Sequence, residues 1–134
     1  MNRKHEAMMK ILDALESLSS CNRAHVACVI VDTRFHIMGT GYNGQPSYLD
    51  NFCNAEEGGC GCIHAEANAL MQMRVDGHGL HTLFCTYSPC VHCAGLIINK
   101  SVIAEVIFKK KYRNTRGIEL LERANIKVNH YDHV

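Results

Sequence analysis

The chain has almost no net charge to offer: 14 Lys and Arg against 13 Asp and Glu leave +1 over 134 residues. A balance so close to neutral gives no whole-molecule attraction to nucleic acid or to an anionic membrane. Aromatic residues are also few, with five tyrosines, four phenylalanines and no tryptophan. A nucleic-acid-binding module normally interleaves aromatics with a basic face, and that pattern is missing. No apolar run approaches membrane-spanning length. Met1-Asn2-Arg3-Lys4-His5-Glu6 leads into an amphipathic pattern and not into an apolar signal segment, so neither secretion nor a membrane location is expected. Repeats, low-complexity tracts and linkers are absent, which makes residues 1–134 a single domain able to bury about two-thirds of its unfolded surface.

Cysteine is plentiful, at eight residues. A secreted chain of this size would pair them as disulfides. Without a secretory signal the expectation is a reduced, cytoplasmic setting in which thiolates serve as metal ligands.

Hydrophobic periodicity gives a coarse map. From Glu6 to Leu18 the residues Met8, Met9, Ile11, Leu12, Leu15 and Leu18 recur at helical spacing, with the methionines as core filler. Val26 to Val31 is an apolar, β-branched strand, Asp32-Thr33-Arg34 a turn, and His36 to Tyr42 the returning strand of a hairpin. Gly39, Gly41 and Gly44 are expected to loosen the backbone into a loop. Ser47 to Ile63 has no period, and so long a loop in a compact domain needs another source of order. A helix over His64 to Val75 follows, ended by Asp76-Gly77-His78-Gly79. Then come a strand over Leu80 to Thr86, a helix over Cys90 to Lys100 entered at Pro89, and a strand over Val102 to Phe108. Ile118 to Ala124 reads as a last helix and Ile126 to His130 as a last strand. The order predicts an α/β domain with one mixed five-stranded sheet and helices on both faces. The basic run Lys109-Lys110-Lys111-Tyr112-Arg113 is read as a solvated loop after a strand, with a site for an anionic group as the alternative.

Two segments carry chemistry: His64-Ala65-Glu66, and Ser88-Pro89-Cys90-Val91-His92-Cys93. A structural zinc closes its shell with four protein ligands, whereas a catalytic zinc keeps one position open. His64, Cys90 and Cys93 make three. Cys90 and Cys93, at i and i+3, project from one side of a helix start, where free N–H groups and the helix dipole favour thiolates. Two thiolates and one imidazole leave zinc formally neutral, and such a zinc acidifies a bound water toward a pKa of about 7. Glu66 is near enough to move protons without binding metal. His92 lies off the ligand face and is expected to be exposed, and His5, His25, His36, His78, His81, His130 and His133 are expected to be ordinary histidines.

The H-x-E…P-C-x-x-C order is the known signature of zinc-dependent deaminases. Beyond it, the chain resembles the deoxycytidylate (dCMP) deaminases of the cytidine deaminase-like superfamily, of phage or bacterial type. Three blocks carry the likeness: Gly41-Tyr42-Asn43-Gly44-Gln45-Pro46, His64 to Leu70, and Thr82 through Ser88-Pro89-Cys90 to Asn99. The tail around Gly117-Ile118-Glu119-Leu120-Leu121 and Ala124-Asn125-Ile126 extends it over roughly residues 20 to 130. The resemblance implies hydrolytic deamination of dCMP to dUMP with release of ammonia, supplying dUMP for thymidylate synthesis. Glu66 would be the proton shuttle, Asn43 the partner of the deoxyribose, and Ala65 a backbone partner of the cytosine ring. Ser88 would accept from the exocyclic amine, and Tyr112 would close over the substrate. For the 5′-phosphate, Arg23, His25 and Arg113 are the candidates.

The resemblance further implies a homohexamer, in the cytoplasm or in the host cytoplasm if phage-encoded, with no nucleic-acid or membrane partner. Regulated members bind dCTP or dTTP with Mg2+ near the glycine-rich loop. This chain has Gly44-Gln45-Pro46-Ser47-Tyr48 where a later glycine is usual, so weakened or absent regulation is expected. Ala27 also stands where the family usually has glycine. Cys28 and Cys85 fall in strands and read as small core residues. Cys21, Cys53, Cys60 and Cys62 match places where some relatives hold a second, structural zinc that would order the long loop. The alternatives are deamination of dCTP, cytidine, a tRNA adenosine or a riboflavin-pathway pyrimidine, or a zinc-stabilised binding module without catalysis.

Overall fold

The computed structural model describes residues 2–47 and 60–134. The elements run α1 (Arg3–Glu16), β1 (Ala27–Val31), β2 (Ile37–Tyr42), α2 (Ala65–Gln72), β3 (His81–Tyr87), α3 (Val91–Lys100), β4 (Ile103–Lys110), α4 (Arg116–Arg123) and β5 (Lys127–His130), with a 3-10 turn at Tyr131–His133. The five strands form one sheet in the order β2-β1-β3-β4-β5. β1 pairs antiparallel with β2 and β3, while β3, β4 and β5 run parallel. This is the mixed sheet expected from the order of elements, because α3 and α4 each return the chain to start a parallel neighbour.

Side-chain alternation places the two layers. Along β1, Ala27, Val29 and Val31 face α1 with Phe84 and Ile107, against Met8, Met9 and Leu12. Cys28 and Ile30 face the other way, into a core with Leu83, Cys85, Val106 and Phe108 beneath Ala65, Ala69, Ala94, Ile97 and Leu121. β1 is buried along its whole length, which is why it reads as a continuous apolar run and not an alternating one. α1 starts at Asn2, whose side chain accepts from the Lys4 N–H at 2.8 Å and caps the helix. The Lys109 ammonium reaches back from β4 to Asp13 and to Glu16 (2.8 Å), fastening the end of α1.

Several expectations need correction. Gly39 and Gly41 belong to the expected returning strand but do not loosen it into a loop; they lie inside β2, where α2 sits directly on the strand. A Cβ on Gly39 would come 2.7 Å from the Ala69 carbonyl oxygen, and one on Gly41 would come 2.6 Å from the Ala69 nitrogen and closer still to the Ala65 carbonyl oxygen. α2 ends at Gln72 and not near Val75: Met73 turns extended, and the Arg74 N–H donates to the Met38 carbonyl at 2.8 Å, a sheet-like tie that competes with the helix. Lys109 and Lys110 belong to β4, paired parallel to β3, so the loop begins only at Lys111. Leu18 lies past the helix and is 57 % exposed.

Candidate active site

The site forms where the N-termini of α2 and α3 converge. His64 and Cys90 are the residues that precede these helices, both extended and neither using its side chain as a cap. That frees the imidazole and the thiol to point at a shared centre. His64 Nδ1 lies 3.5 Å from Cys90 Sγ and 3.3 Å from Cys93 Sγ, and all three ligand atoms fall within 4.8 Å of one another. Ligands placed about 2.0–2.3 Å from zinc in a tetrahedron lie about 3.5 Å apart, so the trio fits that ion. Gly117, at the start of α4, lets that helix pack on the backbone leading into α3: a Cβ there would overlap the Pro89 carbonyl oxygen.

Electrostatics favour a metal-binding thiolate. Hydrogen bonding from Cys93 and the neighbouring His64 overcome burial and hold the Cys90 thiol down at about 3. The same sharing, with burial and the nearby Glu66, pushes the Cys93 thiol up. Hydrogen bonding to Cys90 raises His64 against its burial. Glu66 lies in the first turn of α2, buried, and burial pushes its carboxyl up, while the Cys93 thiol and the His64 charge pull it back. A buried carboxyl whose pKa is shifted up beside three ligand side chains is suited to proton transfer.

Above the trio opens a cavity of about 470 Å3. Asn43, Ala65, Ser88, Tyr112, Arg23 and Arg113, named from sequence, all line it. His25 does not. Asn43, at the end of β2, is held by the Val26 N–H on Oδ1 (2.9 Å) and by its own Nδ2 donating to the Ala24 carbonyl (2.7 Å). Ser88 Oγ accepts the Tyr112 N–H at 2.6 Å, which brings the Tyr112 loop over the pocket. Lys111 and Tyr87 also line the cavity. The sequence signalled Lys111 only through the anionic-group alternative for the basic run, and Tyr87 only as a member of the Thr82-to-Asn99 block, with no role assigned.

Cys21, Cys60 and Cys62 form a second group, their sulfurs within 4.8 Å of one another, and they too line the cavity. Cys53 and Tyr48, named from sequence, lie outside the described residues. Gln45, named from sequence only as part of the Gly41-to-Pro46 block, braces this group by donating from Nε2 to the Cys60 carbonyl (2.9 Å) and toward Cys62 Sγ (3.4 Å). Gly44 and Ile63 exchange two backbone hydrogen bonds (2.7 and 3.2 Å), tying the Asn43 strand end to the residue before His64. His92 is exposed. Cys28 and Cys85 face each other across β1 and β3, fully buried.

The sheet order and the His/Cys/Cys trio at two helix N-termini define a zinc-binding protein of the cytidine deaminase-like fold. The family described as the cytidine and deoxycytidylate deaminase zinc-binding region matches residues 1–110, and the chain belongs to it. The deoxycytidylate deaminase of Mycobacterium phage D29 is 34% identical over 123 residues, covering 79% of this chain and 94% of the phage protein. That of Saccharomyces cerevisiae is 34% identical over 139 residues, covering 92% of this chain, which spans 43% of the yeast protein's length. The dCMP deaminase of cyanophage S-TIM5, solved in complex with dCMP and dUMP, superposes with a TM-score of 0.86 at 32% identity, covering 97% of this chain and 98% of that one.

Proposed function

We propose that this chain hydrolyses dCMP to dUMP and ammonia, supplying dUMP for thymidylate synthesis. The observation that carries the reading is the buried Glu66 carboxylate beside a three-ligand site, one ligand short of a closed shell, at the cavity lined by Asn43 and Ser88. The phage relatives named above are dCMP deaminases, which supports the choice of substrate.

Zinc held by His64, Cys90 and Cys93 supplies Lewis acidity that makes water a nucleophile near neutral pH. Glu66 takes the proton of the attacking water and delivers it to the ring nitrogen. A second proton passes through the same carboxylate to the leaving amine, so one group serves as base and then as acid. The Ala65 N–H sits in the first turn of α2, where helix geometry leaves amide protons without intrahelical partners, and it meets the base. The Ser88 carbonyl accepts from the exocyclic amine, and Asn43 has one amide hydrogen to give to the sugar. Arg23, Lys111 and Arg113 line the cavity and attract the 5′-phosphate.

Cys21, Cys60 and Cys62, with Cys53 as the fourth ligand, hold a structural zinc in this reading. The molecule is a homo-oligomer, hexameric by resemblance, which the exposed Met71 (78 %) and Leu96 (48 %) on α2 and α3 support. Response to dCTP or dTTP with Mg2+ is weak or absent. A saturation curve for dCMP that is hyperbolic and unmoved by either nucleotide is the expected result.

Ammonia release from a panel of dCMP, dCTP, cytidine and deoxycytidine tests the function. The largest kcat/KM is expected for dCMP. Equal values for cytidine and dCMP would defeat the monophosphate assignment, and no release from any of them would leave a zinc-binding module.

A further inference from the structure

We infer that Ser19 is a positioning residue of the pocket, a single hydroxyl that holds the Asn43 amide in place and links it to Cys21. The inference rests on the reading that Asn43 contacts the substrate sugar.

Ser19 lies just beyond α1, buried, and 24 residues from Asn43 in sequence. Its hydroxyl hydrogen is shared between the Asn43 carbonyl oxygen, at 2.9 Å, and Asn43 Oδ1. Its oxygen in turn accepts the Cys21 N–H at 3.3 Å. One small side chain therefore engages the main chain of Asn43, the side chain of Asn43 and the main chain of a cysteine in the second cluster.

Hydrogen-bond capacity shows why this matters. Oδ1 has two lone pairs, and the Val26 N–H and the Ser19 hydroxyl occupy them. Nδ2 has two hydrogens, and the Ala24 carbonyl takes one. One hydrogen remains for a ligand. Flipping the amide would set NH2 against the Val26 N–H and oxygen against the Ala24 carbonyl, so those two partners select the orientation. Ser19 adds a restraint they lack, because it grips the carbonyl and the side chain of the same residue and so limits χ1 as well as χ2. Loss of the hydroxyl leaves the Asn43 carbonyl and the Cys21 N–H without this partner in a buried place.

Ser19 is not among the residues lining the cavity, whereas Asn43 and Cys21 are. An effect of Ser19 on substrate must pass through one of those two. Passage through Asn43 appears in KM, and passage through Cys21 appears in metal content, so the two routes can be separated.

The test is a double-mutant cycle of Ser19→Ala and Asn43→Ala in the zinc-replete protein. Steady-state kinetics with dCMP, calorimetric binding of dUMP and elemental zinc analysis are the readouts. Ser19→Ala is expected to raise KM about tenfold, the size of one lost hydrogen bond, with kcat within about twofold and zinc unchanged. Ser19→Thr restores KM. In the Asn43→Ala background, Ser19→Ala changes KM and dUMP affinity by less than about twofold, because the two residues act as one unit. Should Ser19→Ala fail to fold, Ser19→Cys, with a weaker and longer donor, carries the same cycle.

Effects that multiply, or a KM rise that follows zinc loss, overturn the inference and leave the sugar contact standing. An Asn43→Ala protein with unaltered KM and dUMP affinity removes the sugar contact, and the inference falls with it. A wild-type protein that neither turns over dCMP nor binds dUMP overturns both.

Discussion

Glu66 shows how much one side chain can be asked to do. It is buried in the first turn of α2, lines the cavity with His64 and Cys90, and takes no place among the three ligands. Glu66→Gln keeps the shape and the metal ligands but removes the group that carries protons. Turnover is expected to fall by at least about 10²–10⁴-fold, the worth of one proton transfer, with zinc content unchanged. Stopped-time ammonia assays beside elemental analysis check this, and near-normal turnover in a zinc-replete variant would refute the shuttle.

At the scale of elements, the site depends on how closely α2 packs on β2. α2 rests on the backbone of β2 because Gly39 and Gly41 have no side chains to hold it away. Gly41→Ala puts a methyl against the backbone of Ala65 and Ala69, which no rotamer change can relieve. The helix must shift, carrying His64, Ala65 and Glu66 with it. A loss of about 1–3 kcal/mol is expected, as for other overpacked sites, and activity should drop in protein that is still folded. Thermal melts paired with kcat/KM measure both.

The hairpin turn is organised by Asp32, whose buried carboxylate accepts N–H groups from Arg34, His36 and His78 at 2.9, 2.9 and 3.1 Å. Burial pushes that carboxyl up, but the backbone donors, with the nearby His36, outweigh it and bring it from 3.8 down to about 2. Because the folded value is the lower, the folded protein holds fewer protons than the unfolded one in this range, and stability rises with pH. The contribution is complete above about pH 4 and is lost as pH falls toward 2. Asp32→Asn should flatten this limb of a melting-temperature profile against pH.

For the whole molecule, residues of both cysteine groups line one cavity with Asn43, Ser88 and Tyr112, so the proposed metal and substrate sites share walls. Two zinc ions per chain are expected. One, at His64, Cys90 and Cys93, exchanges with chelators and takes activity with it. The other, proposed at Cys21, Cys60 and Cys62 with Cys53, is expected to be held tightly and to stabilise the native state by linkage. Cys60→Ser should bring the count to one and lower the melting temperature. A single zinc in the wild type, unchanged by Cys60→Ser, would remove the second site.

Periodicity and motif spacing were enough to specify the elements, their order, the mixed sheet and the trio with Glu66. These are local properties: a buried strand is apolar along its length, and i, i+3 cysteines share a helix face wherever the helix goes. Element ends were less legible, because tertiary ties settled them, as the Met38 carbonyl does in ending α2 at Gln72. Gly39 and Gly41 read as loosening their strand, since nothing in their neighbourhood reveals that a helix from residue 65 onward lies on them. Ser19 carried no signal at all, and Gln45 only its place in the Gly41-to-Pro46 block. Their importance comes from hydrogen bonds to residues distant in the chain, and such pairings exist only once the sheet has brought the end of β2 beside the segments around Cys21 and Cys60.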